Sequence, residues 1–329
     1  MRPTIGISAG DPAGIGLEVT LKAVPVFLSS ANCVLFTDRR HFERSLESFT
    51  HDAIPFRWIT EIDEVSDEPV LYLIDVPNCS ELIPWGEASL RAGQRASAYL
   101  EAASTAANRR QIQAIVTAPV SKASIGTEFK GQTEFLSERA GVVEFAMAFF
   151  APTFKVVLAT VHLPLKEALA QLSTERYVGL ISFVDHELRR FGYLNSRIAV
   201  AAINPHAGEG GMFGNEDAEI LHPAVVHCAG LGISVTGPHS ADSLYYRAHS
   251  GEFDVVIAPY HDQGLIPVKL IAHGESTNVT LGLPYVRTSP DHGTAFPIAG
   301  MNKADARGMS SAIACALDLL RRTPQIARV

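Results

Sequence analysis

The chain has 329 residues, of which 47% are hydrophobic and 19% are charged, and its formal net charge is −8. This composition is typical of a folded globular protein and excludes an intrinsically disordered one. The negative charge argues against non-specific binding to nucleic acid, so an anionic substrate would require a local basic site. The length favours two domains.

The N-terminal residues lead directly into a predicted strand, without the apolar core of a signal peptide. No apolar stretch approaches the ~20 residues that a membrane span requires. The cysteines lie far apart in the sequence, which favours buried, reduced thiols; they are Cys33, Cys79, Cys228 and Cys315. We therefore expect a soluble cytoplasmic protein that binds neither nucleic acid nor membranes.

Short apolar runs alternate with longer helical patterns along the chain. The predicted strands are Thr4–Ser8, Cys33–Phe36, Val70–Ile74, Ala114–Thr117, Val156–Val161, Ile198–Ile203 and Val255–Ala258. The predicted helices include Ser89–Arg109, Ser173–Phe191, Glu216–Leu231 and Asn302–Arg322. This alternation predicts an α/β protein with a parallel or mixed sheet covered by helices.

Two stretches rich in glycine and proline, 118–131 and 281–293, indicate crossings between domains. We expect a discontinuous first domain of residues 1–125 and 290–329, in which the C-terminal helix returns to the N-terminal half. Residues 126–289 would form the second domain.

Three histidines share one position in the pattern. His162, His206 and His261 each lie just past the end of a β-branched apolar run. Ligands of α/β proteins bind at the carboxyl ends of strands, so three imidazoles placed in this way can bind one divalent metal ion with open coordination positions. Such a site serves oxidation if it binds a substrate alcohol and hydrolysis if it binds water, and the residues alone leave both reactions open. A structural ion in an anion receptor is less favoured, because structural zinc sites usually have four protein ligands.

Other polar segments follow predicted strands. The glycine-rich turn Gly10–Gly16 could bind an anion or serve only as a tight turn, and it lacks the Gly-x-Gly-x-x-Gly fingerprint. Thr117–Lys122 offers hydroxyl and ammonium donors. Asp262, directly after His261, would point elsewhere from an extended backbone and is expected to orient a ligand or to contact the substrate rather than to bind metal.

Seven motifs in the same order make the chain similar to the 4-hydroxythreonine-4-phosphate dehydrogenase (PdxA) family. They are Gly10–Gly16, Thr117–Lys122, Thr133–Leu136, Thr160–Leu165, Ile203–Gly211, Tyr260–Gly264 and Asn278–Ala295. The resemblance extends from residue 4 to about 320 and is most specific in the C-terminal half.

The resemblance implies an isocitrate/isopropylmalate dehydrogenase-like fold, with two α/β/α domains and a cleft between them. It also implies a homodimer whose active site takes residues from both subunits. The implied reaction is the NAD- or NADP-dependent oxidation of the C3 hydroxyl of 4-phosphooxy-L-threonine in pyridoxal 5′-phosphate biosynthesis, with one divalent metal ion per site (Zn, Co, Mn or Mg).

The family's site residues transfer by motif. The metal ligands would be His162, His206 and His261, and the substrate contacts Gln132, Thr133, Lys269, Asn278 and Arg287. The loop His292, Gly293, Thr294 and Ala295 resembles the nucleotide-binding loop of β-decarboxylating dehydrogenases, where the adenosine half of NAD would bind. Asp262, Asp242 and Lys269 are all candidates for the proton acceptor, and the sequence does not rank them.

One residue departs from the family pattern, which commonly has Gly-His-Thr-Glu where this chain has Gly131-Gln-Thr-Glu134. Gln132 keeps a hydrogen-bond donor but cannot carry the charge of a protonated imidazole. The substitution is either tolerated or marks a related substrate such as D-threonate or D-erythronate 4-phosphate.

Overall fold

The computed structural model describes residues 2–49, 54–76 and 81–323. Its strands are β1 Thr4–Ser8, β2 Asn32–Thr37, β3 Phe56–Ile59, β4 Leu71–Asp75, β5 Ala114–Thr117, β6 Ala146–Phe150, β7 Lys155–Leu158, β8 Ile198–Ala201, β9 Val235–His239, β10 Val255–Ala258, β11 Thr277–Leu281 and β12 Val286–Pro290. Its helices are α1 Gly16–Ala23, α2 Arg39–Phe49, α3 Leu90–Asn108, α4 Lys122–Ile125, α5 Gln132–Arg139, α6 Leu165–Ala170, α7 Thr174–Arg190, α8 His222–Gly230, α9 Ala241–His249, α10 His261–Ile271 and α11 Arg307–Arg322.

The chain divides into two compact units, the first being residues 1–145 with 283–329 and the second residues 146–282. The boundaries therefore differ from the predicted ones, since residues 126–145 and 283–289 belong to the first unit. Two contacts account for the difference. Helix α5 packs on α3, where Arg139 forms a 2.8 Å ion pair with Glu101, and β12 pairs in parallel with β5.

In the first unit the strands pair in parallel throughout, in the order β3-β4-β2-β1-β5-β12. Strands β1, β2 and β5 are buried along their whole length apart from Thr4, because helices cover both faces of a parallel sheet. Helix α3 begins where the Ser89 side chain accepts a hydrogen bond from the backbone of Ala92. The C-terminal helix α11 packs on β12, β5 and α1, as the sequence predicts.

In the second unit the order is β11-β6-β7-β10-β8-β9. Strand β6 pairs antiparallel with both β11 and β7, whereas β7, β10, β8 and β9 are parallel. The parallel strands carry valine, isoleucine and alanine and form the core with α9 and α10. Their carboxyl ends lie along one edge, which is where the three histidine segments begin.

Cys33 and Cys228 are buried, as expected for reduced core thiols, and Cys315 is half-buried. Burial raises the pKa of the Cys33 thiol to about 12, which leaves it unreactive. Cys79 lies outside the described residues. In the part of the chain that the structure describes, no helix combines the length and apolar character needed to cross a membrane.

Candidate active site

Two of the three predicted histidines lie together in the second unit. Strands β7 and β10 are neighbours in register, with Leu158 opposite Ala258. His162 follows β7 and His261 opens α10 after β10, and their ring centroids are 5.7 Å apart. Two imidazoles on one tetrahedral ion have centroids about 5 Å apart, given metal–nitrogen bonds of about 2 Å. The pair therefore fits the binding of one divalent ion.

Asp262 contacts the His261 ring directly, with Oδ1 2.7 Å from Nδ1. The expectation of an extended backbone at these two residues is wrong, because they begin helix α10. A carboxylate on one ring nitrogen fixes the ring orientation and leaves the other nitrogen for a metal. The contact suits Asp262 to orienting the His261 ring, although the backbone at these residues is helical and not extended.

His206 lies on an unusual turn. The residues from His206 to Gly210 all have φ between 42° and 78°, which is a left-handed helical turn. His206, Ala207 and Glu209 are not glycine, and each costs about 1–2 kcal/mol in this conformation. Such strain persists only where surrounding contacts hold the backbone in place.

Asp217 supplies those contacts, and sequence analysis missed it. Its buried carboxylate accepts hydrogen bonds from the backbone N–H groups of Ile203, at 2.7 Å, and Asn204, at 3.0 Å. Both residues lie just before the left-handed turn, so Asp217 fixes the direction in which the chain enters it. The motif Ile203–Gly211 includes the turn, but nothing in the sequence singled out Asp217, which follows that motif.

The His206 ring is close to Asp242, with Nδ1 3.8 Å from Oδ2. Across residues 2–49, 54–76 and 81–323, no group of three or more histidine, cysteine, aspartate or glutamate side chains has the geometry to bind a metal ion. One chain therefore brings His162 and His261 together and holds His206 beside Asp242 instead. A hydrogen bond from Ser240 lowers the pKa of Asp242, which makes it a weaker base than an ordinary aspartate.

The remaining predicted groups of the second unit lie on α10 and β11. Lys269 is exposed on the last turn of α10. Asn278 is half-buried on β11, and its Oδ1 is buried without a hydrogen-bond partner among the described residues. A buried polar atom of this kind is a candidate ligand contact.

In the first unit, Arg287 on β12 forms the centre of a buried polar group. Its guanidinium donates to the hydroxyls of Thr117, at 2.8 Å, and Thr133, at 3.2 Å, and all three side chains are buried. Burial lowers the pKa of Arg287 to about 10, so it remains charged near neutral pH. A fixed, charged and desolvated guanidinium suits a carboxylate or phosphate.

Gln132 opens α5 beside Thr133. Its Nε2 donates to the backbone carbonyl of Ala118 at 3.2 Å, while Oε1 is buried with no hydrogen-bond partner among the described residues. The Gln132 atom that remains for a ligand is therefore Oε1, a hydrogen-bond acceptor, whereas the sequence suggested that Gln132 would offer a donor.

The loop of His292, Gly293, Thr294 and Ala295 packs on the Gly10–Gly16 turn. The Thr294 carbonyl accepts a hydrogen bond from Ile15 at 3.1 Å, and a Cβ on Gly14 would lie 2.9 Å from that oxygen. The N–H groups of Asp11, Ala13, Gly14 and Ile15 are all bonded within the chain, so this turn supports the loop rather than binding an anion. In the loop, the buried atom His292 Nε2 has no hydrogen-bond partner in the part of the chain that the structure describes, which fits a hydrogen-bonding cofactor.

The strands of the two α/β units, the histidine pair and the buried arginine define an α/β protein with candidate metal-binding and anion-binding groups. Comparison with solved structures gives isocitrate dehydrogenase from Methylococcus capsulatus at 14% identity and a TM-score of 0.52, covering 100% of this chain and 88% of that one. At that identity the likeness shows the fold alone, and it confirms the predicted fold class.

The family model described as "Pyridoxal phosphate biosynthetic protein PdxA" matches residues 29–316, and the chain belongs to this family. It is 37% identical to D-threonate 4-phosphate dehydrogenase from Salmonella typhimurium, covering 96% of this chain and 98% of that protein. It is also 37% identical to 4-hydroxythreonine-4-phosphate dehydrogenase from Beijerinckia indica, covering 97% and 96%. The crystal structure of 4-hydroxythreonine-4-phosphate dehydrogenase from Klebsiella pneumoniae superposes with a TM-score of 0.87 at 36% identity, covering 97% and 98%. The protein is thus an oxidoreductase of the PdxA family.

Proposed function

We propose that the protein oxidises the C3 hydroxyl of 4-phosphooxy-L-threonine in a metal-dependent reaction with NAD or NADP. The product, 2-amino-3-oxo-4-phosphooxybutanoate, then loses carbon dioxide to give 3-amino-2-oxopropyl phosphate. The observation that carries the proposal is the His162–His261 pair, with centroids 5.7 Å apart at two adjacent strand ends. The relatives named above, which act as dehydrogenases on phosphorylated four-carbon acids, support the substrate class.

A divalent ion at the histidines (Zn, Co, Mn or Mg) would lower the pKa of the reacting hydroxyl, and the nicotinamide would accept the hydride. We assign Arg287 and Thr133 to an anionic group of the substrate, because they provide a charged donor and a hydroxyl in a buried setting. Asn278 contributes its amide. The loop 292–295 would bind the adenosine half of the cofactor.

We assign the proton acceptor to Lys269. Asp262 is engaged with His261, and Asp242 has a pKa lowered by Ser240 and faces His206. These contacts suit the two carboxylates to orienting imidazoles. Lys269, which lies on the same helix as His261, is then the remaining candidate for the general base.

We further propose a homodimer in which the third imidazole is His206 of the partner subunit. Helix α10, which begins at His261, exposes the apolar side chains of Ile266 and Leu270, and the loop of His206 exposes Met212. Apolar groups exposed beside the metal segments are typical of an interface. A dimer that buries these side chains would bring the partner subunit's His206 to the His162–His261 pair and so supply the third ligand.

Absorbance of NADH tests the reaction class. Purified protein with a divalent ion, NAD and 4-phosphooxy-L-threonine should produce NADH absorbance together with carbon dioxide. Consumption of the substrate without NADH would identify a metal hydrolase instead. Binding without turnover would identify an anion receptor.

A second substrate, D-threonate 4-phosphate, is favoured by Gln132. The family's usual histidine can present a charged donor, whereas Gln132 presents an acceptor, Oε1, that has no partner among the described residues. We expect the ratio of kcat/KM for the two substrates to change about tenfold in Gln132→His, which exchanges one hydrogen-bonding group. An unchanged ratio would mean that Gln132 does not contact the part of the substrate that differs.

A further inference from the structure

A cavity of about 760 Å³ opens in the first unit, and neither Arg287 nor the threonines that it contacts line it. It lies at the amino ends of the strands, since its lining includes Thr4 and Asn32, which begin β1 and β2, and Gln113, which precedes β5. Thr117, which bonds Arg287, ends β5. At about 3.3 Å per residue, the cavity and the Arg287 group lie roughly 13 Å apart along that strand.

The cavity is lined by three arginines from distant parts of the sequence, Arg2, Arg110 and Arg321. Arg2 is already engaged, because its Nη1 donates to the Leu28 carbonyl at 2.6 Å and its Nε lies 3.6 Å from Asp67, which also lines the cavity. Among the described residues, the side chains of Arg110 and Arg321 form no hydrogen bond or ion pair. The lining thus carries three arginines and two aspartates, and the two arginines without a partner in the described part of the chain make it locally basic on a chain with a net charge of −8.

Arg110 holds a strained position to reach the cavity. Helix α3 ends in a Schellman motif, in which Gln111 donates to Ala106 and Arg110 donates to Ala107, each at 2.9 Å. Arg110 occupies the left-handed position of this motif with φ 60°, where glycine is strongly preferred. Arginine is strained in this backbone conformation, which glycine would adopt freely. The presence of arginine here therefore indicates a role for its side chain.

The rest of the lining adds an acceptor and apolar surface. Asp63 is exposed at the cavity, and Pro3, Ile62 and Leu320 provide carbon contacts. We propose that this cavity is a second ligand site, which binds a small phosphorylated molecule through Arg110 and Arg321. Asp63 would accept a hydrogen bond from a hydroxyl or ammonium group of the ligand.

Isothermal titration calorimetry with inorganic pyrophosphate at low ionic strength tests the site. Arg110→Gly should weaken pyrophosphate binding roughly tenfold, the loss expected for one charge-assisted contact. Its melting temperature should not fall, because glycine fits the left-handed position. The matched control is Arg109→Ala, which removes the same charge one residue earlier from an exposed side chain outside the cavity.

Under the proposed function the catalytic site also binds anions. The variant Arg287→Met removes the buried charge of that site and so distinguishes pyrophosphate binding there from pyrophosphate binding in the cavity. Pyrophosphate binding that survives Arg287→Met and falls in Arg110→Gly supports the proposal, whatever the enzyme's substrate proves to be. Binding that disappears with Arg287→Met alone, or that falls equally in Arg109→Ala, overturns it. Citrate bound as tightly as pyrophosphate would overturn the assignment to a phosphate group.

Discussion

The two units present their chemistry in opposite ways. In the first, Arg287, Thr117 and Thr133 are buried, and Arg287 donates a hydrogen bond to each threonine hydroxyl. In the second, the His206 and Asp262 side chains are 58% and 74% exposed, and no three ligands meet within the described chain. The arginine–threonine group is complete in one chain and fixed in position, whereas the histidines need further ligands to bind a metal ion.

This contrast separates two ways of building a site. A preorganised charged group accepts its anion without rearrangement, at the cost of desolvating an arginine. Exposed imidazoles bind a metal ion firmly only when further ligands complete its coordination. Substitutions in the first group should therefore act within one chain, and substitutions in the second should act between chains.

The largest expected effect comes from His206→Ala and His162→Ala. Each variant alone should remain folded, lose metal retention and lose turnover, because two imidazoles bind a catalytic ion poorly. If the ligands come from two subunits, mixing the two inactive variants should restore about a quarter of wild-type activity, since half of the dimers then contain one intact site.

The control for subunit exchange is a mixture of His206→Ala with itself, carried through the same dissociation and reassociation. Activity that stays absent in the mixed sample would mean that all three ligands belong to one chain. Wild-type activity in His206→Ala alone would show that His206 does not bind the metal ion.

Arg287→Met should have the next largest effect. It removes the buried charge but keeps an apolar side chain, so we expect kcat/KM to fall by about 10³-fold, as for a lost buried ionic contact. The melting temperature should hold or rise, because burial disfavours the charged arginine, as its lowered pKa shows.

In the wild type, substrate KM should rise as pH passes about 10 and Arg287 loses its proton. Exposed Arg189, changed to Met, is the control; unchanged kcat/KM in Arg287→Met would contradict the assignment.

The sequence predicts the parts of the fold that depend on local pattern. Strands β1, β5 and β10 lie at the predicted residues because their apolar β-branched runs are short and end at turn-forming residues. Strands β7 and β8 end earlier than predicted, at Leu158 and Ala201, where the chain leaves the sheet toward the histidine loops. Strand β12 was missed, because Arg287 and Thr288 make it look like a polar loop, although both are buried.

The site shows the same limit. Position at strand ends is enough to pair His162 with His261, because neighbouring parallel strands bring their carboxyl ends together. It fails for His206, since five successive residues with positive φ redirect the chain, and no propensity predicts a left-handed turn through histidine, alanine and glutamate. The contact that holds this turn, Asp217, lies beyond it in the sequence and is visible only in three dimensions.

Asp217→Asn should have the smallest of these effects and tests that contact. Asparagine keeps one acceptor but turns an amide toward the second backbone N–H, so one of the two hydrogen bonds to Ile203 and Asn204 is lost. We expect the metal Kd to weaken about tenfold, as for other residues that orient metal ligands, with kcat at saturating metal near the wild-type value. Asp217→Glu should restore part of the affinity, and exposed Glu219→Gln on the same segment should leave it unchanged. A lower melting temperature with an unchanged metal Kd would show that Asp217 supports the fold and does not position His206.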